Sequence, residues 1–285
     1  MKKIIVHGGS AHLDDFVAVA EAIAAECLSR RVQPDEVIKG LIVARRDPTQ
    51  EEVENPDVLV MDVGGVHDPK KACFDHHQLP RGTKECAMTL FAKSVSIDGD
   101  GTLFDVMKRL FPWYETRAVL DSCGPFNAAK EEGVEWAVVE KFLGPFEGIV
   151  LKAFEATPDD KRAEVVLPFA AEITAKILAL KCVKPAVRMV GEVKVVDFGA
   201  CDPRLVDLVS DALTAPLPDG VAVFKDRRGD GWGLLRIKDD PRIDFCSCKD
   251  DPRMGFVHAN GFYCTTKEPV GPEVVDEIVA KAATK

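Results

Sequence analysis

The stretch VLVMDVGGVHDPKKACFDHHQ, Val58 to Gln78, decides how this chain folds. Four apolar residues run into Asp62, and two glycines, Gly64 and Gly65, follow almost at once. A short apolar run that stops at a polar, glycine-rich turn reads as a buried strand and its carboxyl end. The same stretch holds three of the six histidines of the chain, His67, His76 and His77, beside Asp68 and Asp75.

Working back from it, KKIIVHGG is a second short strand, ending at His7. LDDFVAVAEAIAAECLSRR repeats apolar residues at helical spacing through Phe16, Val19, Ala20, Ile23, Ala24 and Cys27. Its acidic pair suits a helix amino end, and the closing SRR suits the carboxyl end. VIKGLIVARRD and DVLVMDVGG read as two further buried strands. The order strand, helix, strand, strand predicts an α/β domain with a largely parallel sheet. In such sheets functional groups gather at the carboxyl ends of the strands, where His7 and Asp62 fall.

Working forward, AMTLFAKSVSI and GTLFDVMKRLF are predicted helices, and WYETRAVLDSCGPFN is a helix closing on a polar turn. RAEVVLPFAAEITAKILALKCV is a long helix stopped by Lys184-Pro185. The pattern then changes to short strands, GEVKVVDF, GVAVFKDR, GWGLLRI and MGFVHANGF, with helices at PRLVDLVSDAL and EVVDEIVAKAA. That predicts a DHH-type α/β domain over 1–185, by the resemblance given below, and a smaller α+β domain over 186–285. A length of 285 residues accommodates two such domains.

With 46% apolar and 29% charged residues the chain has the composition of a soluble globular protein. No apolar run approaches the roughly 20 residues of a membrane span. MKKIIVHGG is too short in apolar residues for a secretory signal. The nine cysteines are odd in number and sit mostly in apolar contexts, which reads as reduced thiols and a cytoplasmic location. A net charge of −10 argues against a broad basic surface for duplex DNA. It leaves room for a small phosphorylated ligand or a short single strand in a local pocket.

The metal-capable side chains near predicted strand ends are His7, His12, Asp14 and Asp15, then Asp62, and then His67, Asp68, Asp75, His76 and His77. A mixed imidazole and carboxylate set suits Mn²⁺, Fe²⁺, Co²⁺ or Zn²⁺ better than Ca²⁺. Asp62, between two groups of His and Asp, could bridge two ions about 3.5–4 Å apart. Taken singly, each signal has an ordinary reading, since an HxD turn is commonly a solvated pair or a cap. What such readings leave unexplained is that five of the six histidines fall in the first 77 residues.

DHHQ after MDVGG resembles the DHH phosphoesterase superfamily, and the closer resemblance is to the melanocyte-proliferating-gene (UPF0160-type) exonuclease family. VHGGSAHLDD, VARRDP with VLVMDVGGVHDPKKACFDHHQ, AVLDSCGPF and GFVHANGF carry it. It implies two divalent ions, Mn²⁺ first, with Mg²⁺, Co²⁺ or Zn²⁺ as alternatives. One would be held by His7, His12 and Asp62, the other by Asp14, Asp62, His76 and Asp121. Asp121 enters only through the resemblance. His77 would face the substrate, with Asp75 and Asp15 orienting histidines, and His258, Asn260, Thr265 and Lys267 would contact the phosphate from the smaller domain. The chain departs from the family pattern at LDSCG and at HANGFYCTT.

The resulting expectation is a phosphoesterase acting on short single-stranded RNA, oligonucleotides or nucleotides, in the manner of a 3′–5′ exonuclease. A small-molecule phosphatase or pyrophosphatase, and a non-catalytic metal or nucleotide binder, are the alternatives, and a homodimer is left open. Arg45 and Arg46 could reach a phosphate or form a surface pair. Cys246, Cys248 and Cys264 read as thiols on strand positions, GDGWG as a hairpin turn, and SIDGDGTLF as a loop leading into a helix.

Overall fold

The computed structural model describes residues 1–80, 82–99, 101–135, 145–217, 219–226 and 229–283. Contacts divide the chain into two compact units, Met1–Ala175 and Lys176–Lys285.

In the first unit β1 (Lys3–Val6) is an interior strand, and its Ile4, Ile5 and Val6 are fully buried. The helix α1 (Leu13–Arg30) follows, then the short α2 (Pro34–Val37), β2 (Ile42–Arg45), α3 (Gln50–Glu54) and β3 (Val58–Met61). The strands β4 (His67–Asp68) and β5 (Cys73–Phe74) complete a sheet of order β2-β1-β3-β5-β4. β1, β2, β3 and β5 are mutually parallel and β4 alone runs antiparallel, so the largely parallel sheet expected from the sequence is present. α1 buries residues on every side, from Phe16 to Cys27, which is the signature of an interior helix. α3 was not anticipated between the two strands, although Thr49 and Glu52 form the T-x-x-E capping box that announces it.

Beyond the sheet lie α4 (Ala87–Ser94), the hairpin of β6 (Ser96–Ile97) and β7 (Gly101–Thr102), α5 (Leu103–Leu110), α6 (Tyr114–Cys123) and α7 (Pro125–Glu132). The end of AMTLFAKSVSI thus leaves its helix for the hairpin, since Val95 takes an extended conformation. PFN, expected as a turn, instead opens α7: Gly124 at φ 79 breaks the chain between the helices, and Pro125 occupies the first helical position that proline favours. α8 (Pro145–Ala156) and α9 (Arg162–Cys182) follow. The buried Arg162 guanidinium donates to the carbonyls of Phe154 and Val43, tying both helices to β2.

The division between units falls inside α9, where Lys176 donates to the carbonyl of Leu208. The second unit contains β8 (Ala186–Val190), β9 (Val193–Asp197), α10 (Pro203–Thr214), β10 (Val221–Lys225), β11 (Trp232–Arg236), β12 (Met254–Val257), β13 (Tyr263–Thr266) and α11 (Pro272–Ala282). Its sheet has the order β12-β13-β11-β10-β9-β8, with only the β9–β10 pair parallel. Val195, Val221, Val223 and Leu234 pack in one core with Val275, Ile278 and Val279 of α11. This is the smaller α+β domain expected; of GDGWG, Gly229, Asp230 and Gly231 lie between the antiparallel β10 and β11, while Trp232 and Gly233 open β11. MGFVHANGF supplies β12 and the turn after it, and the next residues, Tyr263–Thr266, form β13, a strand not expected from the sequence. FCSC is a 3₁₀ turn, Phe245–Cys248, not a strand: Asp244 caps it by accepting from the Cys246 N–H. All nine cysteines are free. Among the described residues no helix is long and apolar enough to cross a membrane.

Candidate metal centre

Four parallel strands present their carboxyl ends side by side. Reading across β2, β1, β3 and β5, the residues at that edge are Arg45, His7, Asp62 and the run Asp75-His76-His77. Two of the candidates are left out. Asp68, paired with Cys73 on the outermost strand β4, caps a 3₁₀ turn by accepting from Lys70 N–H at 3.0 Å. His67 is exposed on β4 and joins no donor cluster among the described residues.

Asp62 lies in the left-handed region at φ 58, where side chains other than glycine, asparagine and aspartate are strained. Gly64 at φ 93 continues the turn, and a Cβ there would stand 3.0 Å from Pro48 Cγ. The turn closes on the next strand, because Gly65 N–H donates to Asp75 Oδ2 at 2.5 Å. The other Asp75 oxygen takes the backbone N–H and the Nδ1 of His77, at 2.9 and 2.7 Å. Burial pushes the Asp75 carboxyl up, but these donors outweigh it and hold the group below its usual range.

The start of α1 brings Asp14 and Asp15 to the same place. Asp15 Oδ2 accepts the His12 N–H at 3.3 Å, which closes the first turn of the helix. Donor atoms then fall into three overlapping groups, each within 4.8 Å: His7, His12, Asp15 and Asp62; Asp62, His76 and His77; His12, Asp14 and Asp121. Asp62 belongs to two of them and His12 to two. His76 Nε2 sits 2.9 Å from Asp62 Oδ1 and 3.2 Å from Asp121 Oδ2.

This concentration of carboxylates is unfavourable by itself. Asp14, Asp15 and Asp62 are at most 3% exposed. Burial, followed by the charge of Asp62, pushes the carboxyls of Asp14, Asp15 and Asp121 up. Burial would push the His76 imidazole down, but its contacts with Asp62 and Asp121 prevail and push it up. Both oxygens of Asp14, Oδ1 of Asp15 and Nδ1 of His7 are buried without a hydrogen-bond partner among the described residues. Buried polar atoms are nearly always satisfied in folded proteins, so this set calls for a cationic partner. Imidazole nitrogens and carboxylate oxygens together fit a first-row divalent ion.

Residues 3–94 match the MYG1_exonuc family model. That family is described as an uncharacterised protein family, UPF0160. The matched segment spans β1 to α4 and every candidate ligand named above except Asp121. No curated protein matches the chain in sequence. Among solved structures, a pGpG-specific phosphodiesterase, PggH, from Vibrio cholerae is 10% identical over 98% of this chain and 96% of its own, with a TM-score of 0.26. RecJ from Thermus thermophilus, solved with Mn²⁺, is 13% identical over 99% of this chain and 51% of its own, with a TM-score of 0.27. Scores of that size do not establish a common fold, and the chemistry below rests on the side chains.

The expected substrate residues of the second unit differ in access. His258 Nδ1 accepts from Asn260 N–H at 3.1 Å, and both residues lie on the turn between β12 and β13 with surface exposed. Thr265 is 4% exposed on β13, which pairs with β11 on one side and β12 on the other, so its side chain is buried in the second unit. Lys267 gives its ammonium to the Pro252 carbonyl at 2.8 Å. The two arginines also separate. Arg46 is held bidentate by Glu52 at 2.8 and 2.7 Å, whereas Arg45 donates to Gly9 O at 3.0 Å and its Nε, near the Asp15 group, has no partner among the described residues.

Proposed function

We propose that this protein is a hydrolase that uses two divalent cations, Mn²⁺ first among them, to cleave phosphodiester bonds in short single-stranded RNA, oligonucleotides or nucleotides. One observation carries the reading: three donor groups joined through Asp62 and His12, with buried carboxylate oxygens that no described residue satisfies. The MYG1_exonuc match supports it over residues 3–94.

In this reading His7, His12 and Asp62 hold one cation, with Asp15 alongside, and Asp14, Asp62, His76 and Asp121 hold the other. The cations supply Lewis acidity toward a phosphoryl oxygen and toward the attacking water. The protein supplies the rest. The Asp75 carboxylate clamps His77 by Nδ1, which directs Nε2 away from it and toward substrate, and His77 is 57% exposed. Arg45, at the same sheet edge, offers a guanidinium to a phosphoryl oxygen. His258 and Asn260 remain candidates for substrate contact within the second unit, and the protein acts in the cytoplasm.

The test is a panel of phosphodiesters and phosphomonoesters assayed with Mn²⁺, beside Asp62→Asn. Release of 5′-mononucleotides from a short labelled RNA, lost in the variant, is the expected result. Turnover of pyrophosphate or another small phosphate compound with RNA untouched would replace this reading with a small-molecule phosphatase. Nucleotide binding without turnover under any divalent ion would replace it with a sensor.

A further inference from the structure

Glu21 and Tyr114 are a fully buried polar pair, and no part of the chemistry above uses them. The Tyr114 hydroxyl donates to Glu21 Oε1 at 2.5 Å and lies 3.2 Å from the Met88 carbonyl of α4. The second carboxylate oxygen, Glu21 Oε2, has no partner among the described residues. A carboxyl group buried this way is unfavourable unless it serves specificity or function.

Its place in the helices says what it serves. Glu21 is two turns beyond Asp14 on α1, and Asp121 is two turns beyond Tyr114 on α6. Asp14 meets Asp121 at one level, and Glu21 meets Tyr114 about 10 Å further along, at 1.5 Å of rise per residue. The two helices therefore run antiparallel in a register set at two points. One point is a pair of acidic groups that repel each other. The other is a directional hydrogen bond. On this stretch α1 buries Ala18, Ala20, Ala22 and Ala24 beside Val17, Val19 and Ile23, none of which can make a directional bond. A slip of one turn moves a helix by about 5.4 Å. That exceeds the 4.8 Å spanned by the donor atoms of His12, Asp14 and Asp121.

We infer that Glu21 and Tyr114 are positioning residues: their hydrogen bond pins α1 against α6 so that Asp14 and Asp121 converge on one cation. The inference rests on the metal reading given above. It concerns a bond remote from the ligands and needs no contact with substrate.

The experiment titrates the metal-free full chain with Mn²⁺ by calorimetry, with thermal melts in parallel. Tyr114→Phe removes the hydroxyl alone and is expected to weaken Mn²⁺ binding about ten- to a hundredfold, the range seen when a supporting partner of a metal ligand is lost. Glu21→Gln, whose amide oxygen still accepts from Tyr114, is expected to bind as wild type does. Wild-type affinity in Tyr114→Phe, or a lower melting temperature with unchanged affinity, would overturn the pin and leave the metal centre standing. If Tyr114→Phe does not fold, Glu21→Met makes the same deletion from the other helix and is judged in the same way. Failure of the wild-type chain to bind Mn²⁺, or binding that survives Asp62→Asn, would instead overturn the metal centre and the pin with it.

Discussion

His77 Nδ1 stands 2.7 Å from Asp75 Oδ1, and the same carboxylate takes the backbone N–H of His77 and of Gly65. One buried side chain thus fixes an imidazole ring and also the glycine turn that follows Asp62. The turn at the carboxyl edge of the sheet and the exposed histidine share a single support.

Asp75→Ala is expected to reduce turnover about ten- to a hundredfold, because His77 loses the partner that orients it. It also leaves the Gly65 N–H without its acceptor, which costs about 1–3 kcal/mol of stability. Steady-state rates under saturating Mn²⁺ check the first effect, and denaturant unfolding of the metal-free protein checks the second.

Asp62→Asn removes the carboxylate shared by two donor groups. Without metal the variant should melt above the wild type, since the charge that pushes Asp14, Asp15 and Asp121 up is gone. With Mn²⁺ the order should invert. Wild type gains about 2.7 kcal/mol at a metal concentration a hundred times its Kd, and the variant gains little. Melting curves with and without Mn²⁺ decide it.

Arg45 and Arg46 are adjacent in sequence and opposite in role. Arg45→Gln is expected to raise KM for a phosphodiester with little change in melting temperature. Arg46→Gln should leave KM in place and lower stability, because Glu52 loses its bidentate partner. An unchanged KM in Arg45→Gln would remove that residue from the substrate site.

Two glutamates give stability opposite dependences on pH. Arg46, with Lys3 and the Thr49 N–H, holds the Glu52 carboxyl well below its usual range. Its contribution is present above the unfolded value of about 4.3 and is lost as pH falls toward the folded value. Burial pushes Glu21 well up. Its contribution is greatest below about 4.3 and declines as pH rises, since the unfolded chain releases a proton that the folded chain keeps. Glu21→Gln should therefore melt close to wild type near pH 4 and above it at pH 8. Melts of the metal-free proteins across that range test the sign.

Much of the first unit was legible before any coordinates. Strands ending at His7 and Asp62 and the helix starting at Asp14 were readable because apolar period and end signals act within a few residues. α3 carries an equally local signal in Thr49 and Glu52. β8 and β13 are harder to read, because strands of four or five residues give little periodicity.

The sequence by itself determined the parallel sheet, the chemistry of the donors and their placement at strand ends, because these follow from local pattern and side-chain type. Only the tertiary structure decided which donors meet. His67 has the same chemistry as His76 but is exposed on the outermost strand of its sheet, and Asp121 reaches Asp14 through a helix contact that spans over a hundred positions. Strand direction and helix register are set by packing between distant segments, and residue composition along the chain does not encode them in any short window.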